Sequence, residues 1–484
     1  MSEVSEEDNL PLKLSQLWHN LIEKQPYVQK SPIVILGRRY VDKEQPQVPD
    51  HKIDVDQQAQ NLENNKTNLL SSPSFDYSQV ESDIRSRIWL TYRTGFEPIP
   101  KAVDGPQPLS FVQSMIFNRN LTSTIYNIHS LTDNESFSTD VGWGCMIRTS
   151  QSLLANTYQK ILLGRDFTYD DMSNSNQTSL KKHNLLIDLF RDSTSAPFSI
   201  HNFIKVATES PLQVKPGEWF GPNAASLSIK RLCNKLKLEP NTPNVSIPQI
   251  DVIISESSDL YDDVIKSNFN SDTQKPLLVL LPIRLGIEKI NSYYYASLFQ
   301  LLSLNQSVGI AGGKPSSSYY FFGYQGSKFL YLDPHYPQYY QPDDYSTYHT
   351  TRYSYLDIQE MDPSMMVGIL LMDIKDYYDF KENCTTMGNK IVNFHNTSVS
   401  GDSKPKRKMS EFVNITRGDL SSQDEDFVPI DEEIDNDYID IGEEIENITQ
   451  EESVTVEKSE NNEEPVTVEI DDGFSVRSTS AEIV

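Results

Sequence analysis

The chain has only three cysteines in 484 residues, Cys145, Cys233 and Cys384. None stands at CxxC spacing, so a cysteine-rich zinc centre is not expected, and neither a metal nor a cofactor is called for. An odd, sparse thiol count excludes a disulfide scaffold and fits a reducing compartment. Long apolar runs are also missing. The longest, PLLVLLPI at 276–283, is far short of the roughly 18 residues of a membrane span. The start, MSEVSEEDNLP, lacks the basic and apolar regions of a secretory or mitochondrial leader. Positive charge is scarce too: the formal net charge is -27. Residues 421–484 hold 22 Asp plus Glu against Lys458 and Arg477. The remaining 420 residues therefore carry a net of only -7. The acidity belongs to a tail, and it speaks against a nucleic-acid surface, since phosphates would be repelled. A soluble cytoplasmic protein is expected, with the nucleus as a further place it reaches.

What is present is organised in blocks. LKLSQLWHNLIEKQ (11–24) has the spacing of a short amphipathic helix, and SPIVILGRRY (31–40) is strand-like. Residues 41–80 are polar and read as a flexible spacer. DIRSRIWLTYRTGF (83–96) restarts order as a helix running into a loop, and 100–136 looks like an insertion. From Cys145, the residues Met146, Ile147, Leu153, Leu154, Tyr158 and Ile161 recur at helical steps, and Gly164 supplies a stop. A polar stretch at 166–183 reads as a loop. NLLIDLFRD, SIHNFIKVATES and AASLSIKRLCNKLKL read as further helices. DVIISES and KPLLVLLPIRLG read as buried strands, SYYYASLFQLLS as a helix, and SSYYFFGYQGSKFLYLDPHY (317–336) as two strands about a turn at Gln325–Lys328. MMVGILLMDI reads as a last apolar strand, and ordered structure is expected to end near 395. Beyond it lies an acidic tail of disordered composition. Helices first and strands later predict an α+β fold, with the Cys145 helix packed on an antiparallel sheet.

A thiol attacks as its thiolate, and a helix start aims unpaired N–H groups and a positive dipole end at the sulfur of Cys145. Gly142 and Gly144 in DVGWGC leave the approach uncrowded. A base is still required. Among eight histidines, His335 stands apart in YLDPHYP. Asp333 lies two positions earlier at a strand end, on the same side of the chain. That carboxylate is placed to orient an imidazole, the third-group role of a triad. The bland alternatives stay open on these grounds alone. A free cysteine is often a small buried hydrophobe, and Asp-Pro-His also suits an ordinary turn. Cys233 reads as core packing and Cys384 as an exposed or half-buried thiol without a role.

DVGWGCMIRTSQSLLA together with YLDPH resembles the autophagy cysteine protease family, the autophagins. VILGRRY, RIWLTYRTGF, WFGPN, LVLLPIRLG, GIAGGKPSSSYYFFGY and DPSMMVGIL are similar to family blocks in family order, over residues 31–40 and 83–375. The resemblance implies a papain-like fold with a small extra subdomain. Together with the breaks in composition, the expected division is an arm and spacer (1–80), a catalytic domain (81–395, with the insertion at about 100–136) and a tail (396–484). It implies Cys145 as nucleophile, His335 as general base and acid, Asp333 as orienter and Tyr92 as an oxyanion donor. It also implies that Trp219 covers the groove, and that a loop at 309–315, with Gly309, Gly312 and Gly313, closes over the site. The implied substrate is a ubiquitin-like autophagy modifier cut after its C-terminal glycine, either from a precursor or from phosphatidylethanolamine. Contact with autophagic membranes would then come through the substrate. In the tail, Phe427 and Ile430 in DEDFVPIDEE resemble a short modifier-binding motif; Tyr438 with Ile441 and Phe412 with Ile415 are further candidates. Such a peptide adds a strand to a sheet edge and seats two side chains in pockets. Two other readings share the residues: a different Cys-His-Asp acyl transferase, and a catalytically silent binder of the modifier.

Overall fold

The computed structural model describes residues 31–41, 77–108, 135–170, 172, 177–238, 247–270 and 275–397. Two units divide the chain, 1–416 and 417–484, and every described residue lies in the first. The expected helix at 11–24, most of the 41–80 spacer and 100–136 insertion, and all the tail motifs, Phe427–Ile430 included, lie outside the described residues.

The core is a nine-stranded sheet. Its strands are β1 (Ile33–Ile35), β2 (Arg38–Tyr40), β5 (Asp251–Ile254), β7 (Leu277–Arg284), β8 (Ser307–Lys314), β9 (Ser317–Gln325), β10 (Lys328–Leu332), β12 (Ser354–Asp357) and β13 (Ser364–Leu371). The order is β12-β10-β9-β8-β13-β7-β5, and β1 pairs with the far end of β9 and with β2. The pairings are antiparallel except β5 with β7. β7 shows why its apolar run is continuous. Leu278 and Leu280 enter one core, while Leu277, Val279, Leu281 and Ile283 enter another on the opposite face. A strand with a period of two and both faces covered has no polar side to show.

Helices supply those covers. One layer holds α2 (Cys145–Leu163), α4 (Ile200–Ala207) and α5 (Pro222–Leu238). The other holds α6 (Asp262–Phe269), α7 (Tyr295–Ser303) and α8 (Ile374–Thr386), and two further strands, β6 (Asp259–Tyr261) and β14 (Asn393–His395), pair with each other. Helix α2 packs on β8 and β9 and is buried all round from Cys145 to Gln159. A helix sealed on every side is a core helix. The architecture is the expected α+β one.

Several local expectations change. Helix α1 (Tyr77–Ser86) begins inside the expected spacer, and the segment after it forms β3 (Arg93–Pro100) where a loop was expected. Helix α3 (Gln177–Asp188) starts within the polar 166–183 stretch. Only His183, Leu186 and Ile187 of α3 are buried, so its first turn buries nothing and Leu180 there stays exposed. Cys384 is buried, and burial pushes its thiol up to about 12. The closing loop expected at 309–315 is a strand: β8 runs through Gly309, Gly312 and Gly313 between β13 and β9. Those glycines answer close packing. A Cβ at Gly309 would lie 2.6 Å from the Tyr320 ring, and one at Gly313 would lie 1.8 Å from the Ser317 carbonyl oxygen. Only the hairpin turn at 315–316 projects beyond the sheet.

A second, small sheet matters most for the site. Its strands are β3, β4 (Ser136–Thr139) and β11 (Gln338–Tyr339), in the order β11-β3-β4. Gln338 pairs with Arg93, and Thr94 pairs with Thr139. Each strand adjoins one candidate residue: Tyr92 precedes β3, Cys145 follows β4 and His335 precedes β11. Strand pairing thus gathers three segments that lie far apart in the chain.

Candidate active site

Cys145 opens α2, with Gly144 as its N-cap, and is 1% exposed. The loop before it turns through Gly142 at φ +92°, in the left-handed region that favours glycine. Trp143 beside it is a core residue: its ring meets Phe137 edge-on, and its Nε1 donates to the Thr139 carbonyl at 3.2 Å. The 19-residue α2 directs its unpaired N–H groups toward the sulfur.

His335 and Asp333 form the other half. The Asp333 Oδ1 lies 2.6 Å from His335 Nδ1 and accepts the His335 backbone N–H at 2.9 Å. Nε2 is left for the Cys145 thiol, which hydrogen-bonds the ring. Burial disfavours an imidazolium here, but Asp333 and Cys145 outweigh it and lift His335 to about 10. The histidine side chain remains 22% exposed, so the ring is reachable from solvent. Its loop is pinned on both sides. Trp89 Nε1 donates to the Asp333 carbonyl at 2.7 Å, and Tyr92 N–H donates to the Pro334 carbonyl at 2.8 Å. Gln338 N–H returns to the Tyr92 carbonyl at 3.0 Å.

Tyr92, Val141 and Cys145 make a small buried cluster. The Tyr92 phenol hydrogen-bonds with Cys145, and its ring meets the His335 ring at 5.3 Å, edge to face. Burial, with Cys145 and Asp140 close by, holds this phenol well above the usual tyrosine range. It therefore stays protonated and able to donate. The fold thus brings Cys145, His335, Asp333 and Tyr92 together. Trp219 is 40% exposed, ahead of α5. Its neighbour Gly217 sits so close to Phe137 that a Cβ would lie 2.6 Å from the ring, and Phe137 in turn touches Trp143. The Trp219 segment is thereby fixed beside the loop that carries Cys145. The glycines of β8 are not brought against Cys145 by any hydrogen bond among the described residues. Only the start of β9 reaches the site, where Tyr319 meets the His335 ring at 5.4 Å.

Sequence reasoning missed a buried ion network behind the thiol. Arg148 donates through Nε to Asp140 Oδ2 at 2.8 Å, through Nη2 to Asp140 Oδ1 at 3.1 Å, and through Nη1 to Asp192 Oδ1 at 2.8 Å. The three side chains are 0%, 0% and 1% exposed. Asp140 and Arg148 flank the cysteine at -5 and +3, and two opposite charges so near a helix start were the available signal. Asp192 had none, since it arrives from beyond α3.

The sequence profile of the Peptidase C54 catalytic domain matches residues 77–383. A probable cysteine protease ATG4 of Debaryomyces hansenii is 58% identical over 368 residues, covering 74% of this chain and 72% of that protein. The cysteine protease ATG4 of Candida albicans is 47% identical over 387 residues, covering 79% and 80%. That of Saccharomyces cerevisiae is 44% identical over 301 residues, covering 62% and 57%. With that family match laid over a thiol hydrogen-bonded to an imidazole that a carboxylate holds in turn, the chain belongs to the C54 peptidases, the autophagy cysteine proteases, and is a cysteine peptidase.

Proposed function

We propose that the protein cuts after the C-terminal glycine of a ubiquitin-like autophagy modifier, with Cys145 as nucleophile, His335 as general base and acid, and Asp333 as orienter. The single observation that carries this reading is the contact of Cys145 with a His335 already held by Asp333 at 2.6 Å. The Cys145 thiolate attacks the glycine carbonyl carbon. The Tyr92 hydroxyl and the Cys145 N–H donate to the oxygen that gains charge, as an oxyanion site requires. The intermediate collapses, the bond to the leaving amine breaks, and His335 Nε2–H protonates that amine. A thioester remains on Cys145. Water then attacks it, Nε2 takes the water's proton, and the freed modifier ends in a glycine carboxylate.

One mechanism serves two leaving groups. The α-amine of the residue after glycine gives maturation of a precursor. The amine of phosphatidylethanolamine gives release from a membrane. The chain needs no span of its own for this, and no helix among the described residues is long and apolar enough to cross one. Trp219 is proposed to border the groove. The tail motif at Phe427 and Ile430 is proposed to give the same modifier a second contact, raising its local concentration. The working compartment is proposed to be the cytoplasm, with recruitment to autophagosome-precursor membranes through the substrate.

The test is cleavage of a modifier precursor that carries residues beyond its terminal glycine. Wild type should cut after the glycine, and Cys145→Ala should not. Failure of folded wild-type protein to cut would sink the reading.

A further inference from the structure

Taking Tyr92 and Cys145 in the roles proposed above, we propose that Asp140 is a positioning residue that fixes the Tyr92 hydroxyl relative to the Cys145 sulfur. The geometry is two-sided. Toward Tyr92, the Asp140 carboxylate Oδ1 accepts the Arg93 N–H at 2.7 Å, and the Asp140 N–H donates to the Arg93 carbonyl at 3.3 Å. Toward Cys145, the Asp140 carbonyl accepts the Gly144 N–H at 2.9 Å and the Trp143 N–H at 3.3 Å. Asp140 thus holds the residue after one oxyanion donor and the residue before the other.

Its side chain also sets how close the two segments come. A Cβ at Gly144 would fall 2.3 Å from Asp140 Oδ2 and 2.6 Å from Asp140 Cβ. The carboxylate therefore rests directly on the N-cap of α2, and only glycine leaves room for it. Arg148 locks it there from one turn into the same helix, through both carboxylate oxygens. Asp192 completes the charge balance of Arg148 from the far side. A buried ion pair of this kind is poor evidence of stabilisation, because the lost hydration offsets most of the attraction. Here it gives a fixed position: Asp140 is wholly buried and so is Arg148, and neither has another place to go.

Tyr92 and Cys145 lie 53 positions apart in the chain. The β3–β4 pairing brings their segments together, but its register shifts between Thr94 and Ile99. The ladder alone therefore leaves the end nearest the site loosely registered. The paired bonds between Asp140 and Arg93 continue the ladder past Thr139 and close it at the site. A displacement of about 1 Å at such a point costs on the order of 100-fold in rate.

The discriminating experiment compares Asp140→Asn with Asp192→Asn. Both neutralise one carboxylate of the same buried network, but Asp192 is bonded to neither the Tyr92 segment nor the Cys145 loop. Steady-state cleavage of the modifier precursor, thermal midpoints and the rate of Cys145 alkylation are measured for both and for wild type. Asp140→Asn should lower kcat about 10- to 100-fold, with KM within about threefold and a changed alkylation rate. Asp192→Asn should keep kcat within about threefold at a comparable fall in Tm. Equal losses of kcat in the two variants, tracking Tm, would overturn the proposal and leave the protease reading intact. Wild type that does not cut overturns both. If Asp140→Asn does not fold, Asp140→Glu replaces it. That variant keeps the charge for Arg148 but moves the carboxylate by one methylene, and the same split between kcat and KM is expected. Full activity in Asp140→Glu would overturn the proposal.

Discussion

Replacing Asp333 by asparagine removes a charge and almost nothing else. The amide keeps the shape, and its oxygen still accepts from the His335 ring and backbone. What disappears is a carboxylate 2.6 Å from Nδ1. At that distance the attraction to an imidazolium is about 6 kcal/mol at an effective dielectric constant near 20. The His335 and Asp333 side chains are 22% and 36% exposed, so water screens part of it. A value of about 3 kcal/mol is the sensible working figure after that discount. It corresponds to a roughly 100-fold fall in proton affinity. The midpoint of His335, lifted to about 10 in the intact protein, should therefore drop by about 2 in pH or more. Burial, now opposed by Cys145 alone, pushes the same way. The direct assay is an NMR titration of the His335 ring, with Cys145→Ala as a reference for the thiol's share. Precursor cleavage gives the functional arm, where general acid–base catalysis is worth about 10²- to 10⁴-fold. Stability supplies an independent check. Because the folded midpoint is raised above the ordinary histidine value, the contribution is complete below about 6.5 and is lost as pH rises through about 10. The gap in urea midpoint between wild type and Asp333→Asn should shrink over that window. A ring midpoint that moves by less than about 1, or a kcat that stays within tenfold, would refute the reasoning.

Three other outcomes are expected. Arg148→Met leaves two buried carboxylates without their cation and should cost about 3–5 kcal/mol in urea unfolding at neutral pH. Burial already raises Asp140, so protonation relieves the variant and its loss should diminish toward pH 5; a loss below about 1 kcal/mol would contradict the account. Gly144→Ala drives a Cβ to 2.3 Å from Asp140 Oδ2, and overpacking of about 1–3 kcal/mol should appear as a lower thermal midpoint. Tyr92→Phe should lower kcat about 10²- to 10³-fold while Cys145 still alkylates at close to the wild-type rate; unchanged kcat would remove the phenol from the oxyanion site.

The strands and helices were legible wherever a segment has one simple environment. KPLLVLLPIRLG became β7 because a strand buried on both faces must be apolar throughout, and the helix from Cys145 to Leu163 showed its period and its stop at Gly164. Asp333 and His335 could be paired on paper because they are two residues apart and contact is local. Elements whose order depends on distant partners were misjudged. GIAGGKP looked like a flexible glycine loop, but its glycines are the only residues that let β8 lie against Tyr320, Met365 and Ser317. Cys384 looked like an exposed or half-buried thiol until α8 folded it under the sheet. Helix α3 hid its start because its first turn buries nothing.

By itself, then, the sequence determined the chemistry on offer: one thiol at a helix start, one histidine with its carboxylate, and an acidic tail set apart from the rest. Only the tertiary structure decided that these groups meet. Local propensity reaches a few residues along the chain, whereas the β11-β3-β4 sheet joins segments near positions 92, 140 and 338. The Asp140–Arg148–Asp192 network likewise became a unit only when burial removed the water that would otherwise have satisfied each charge separately.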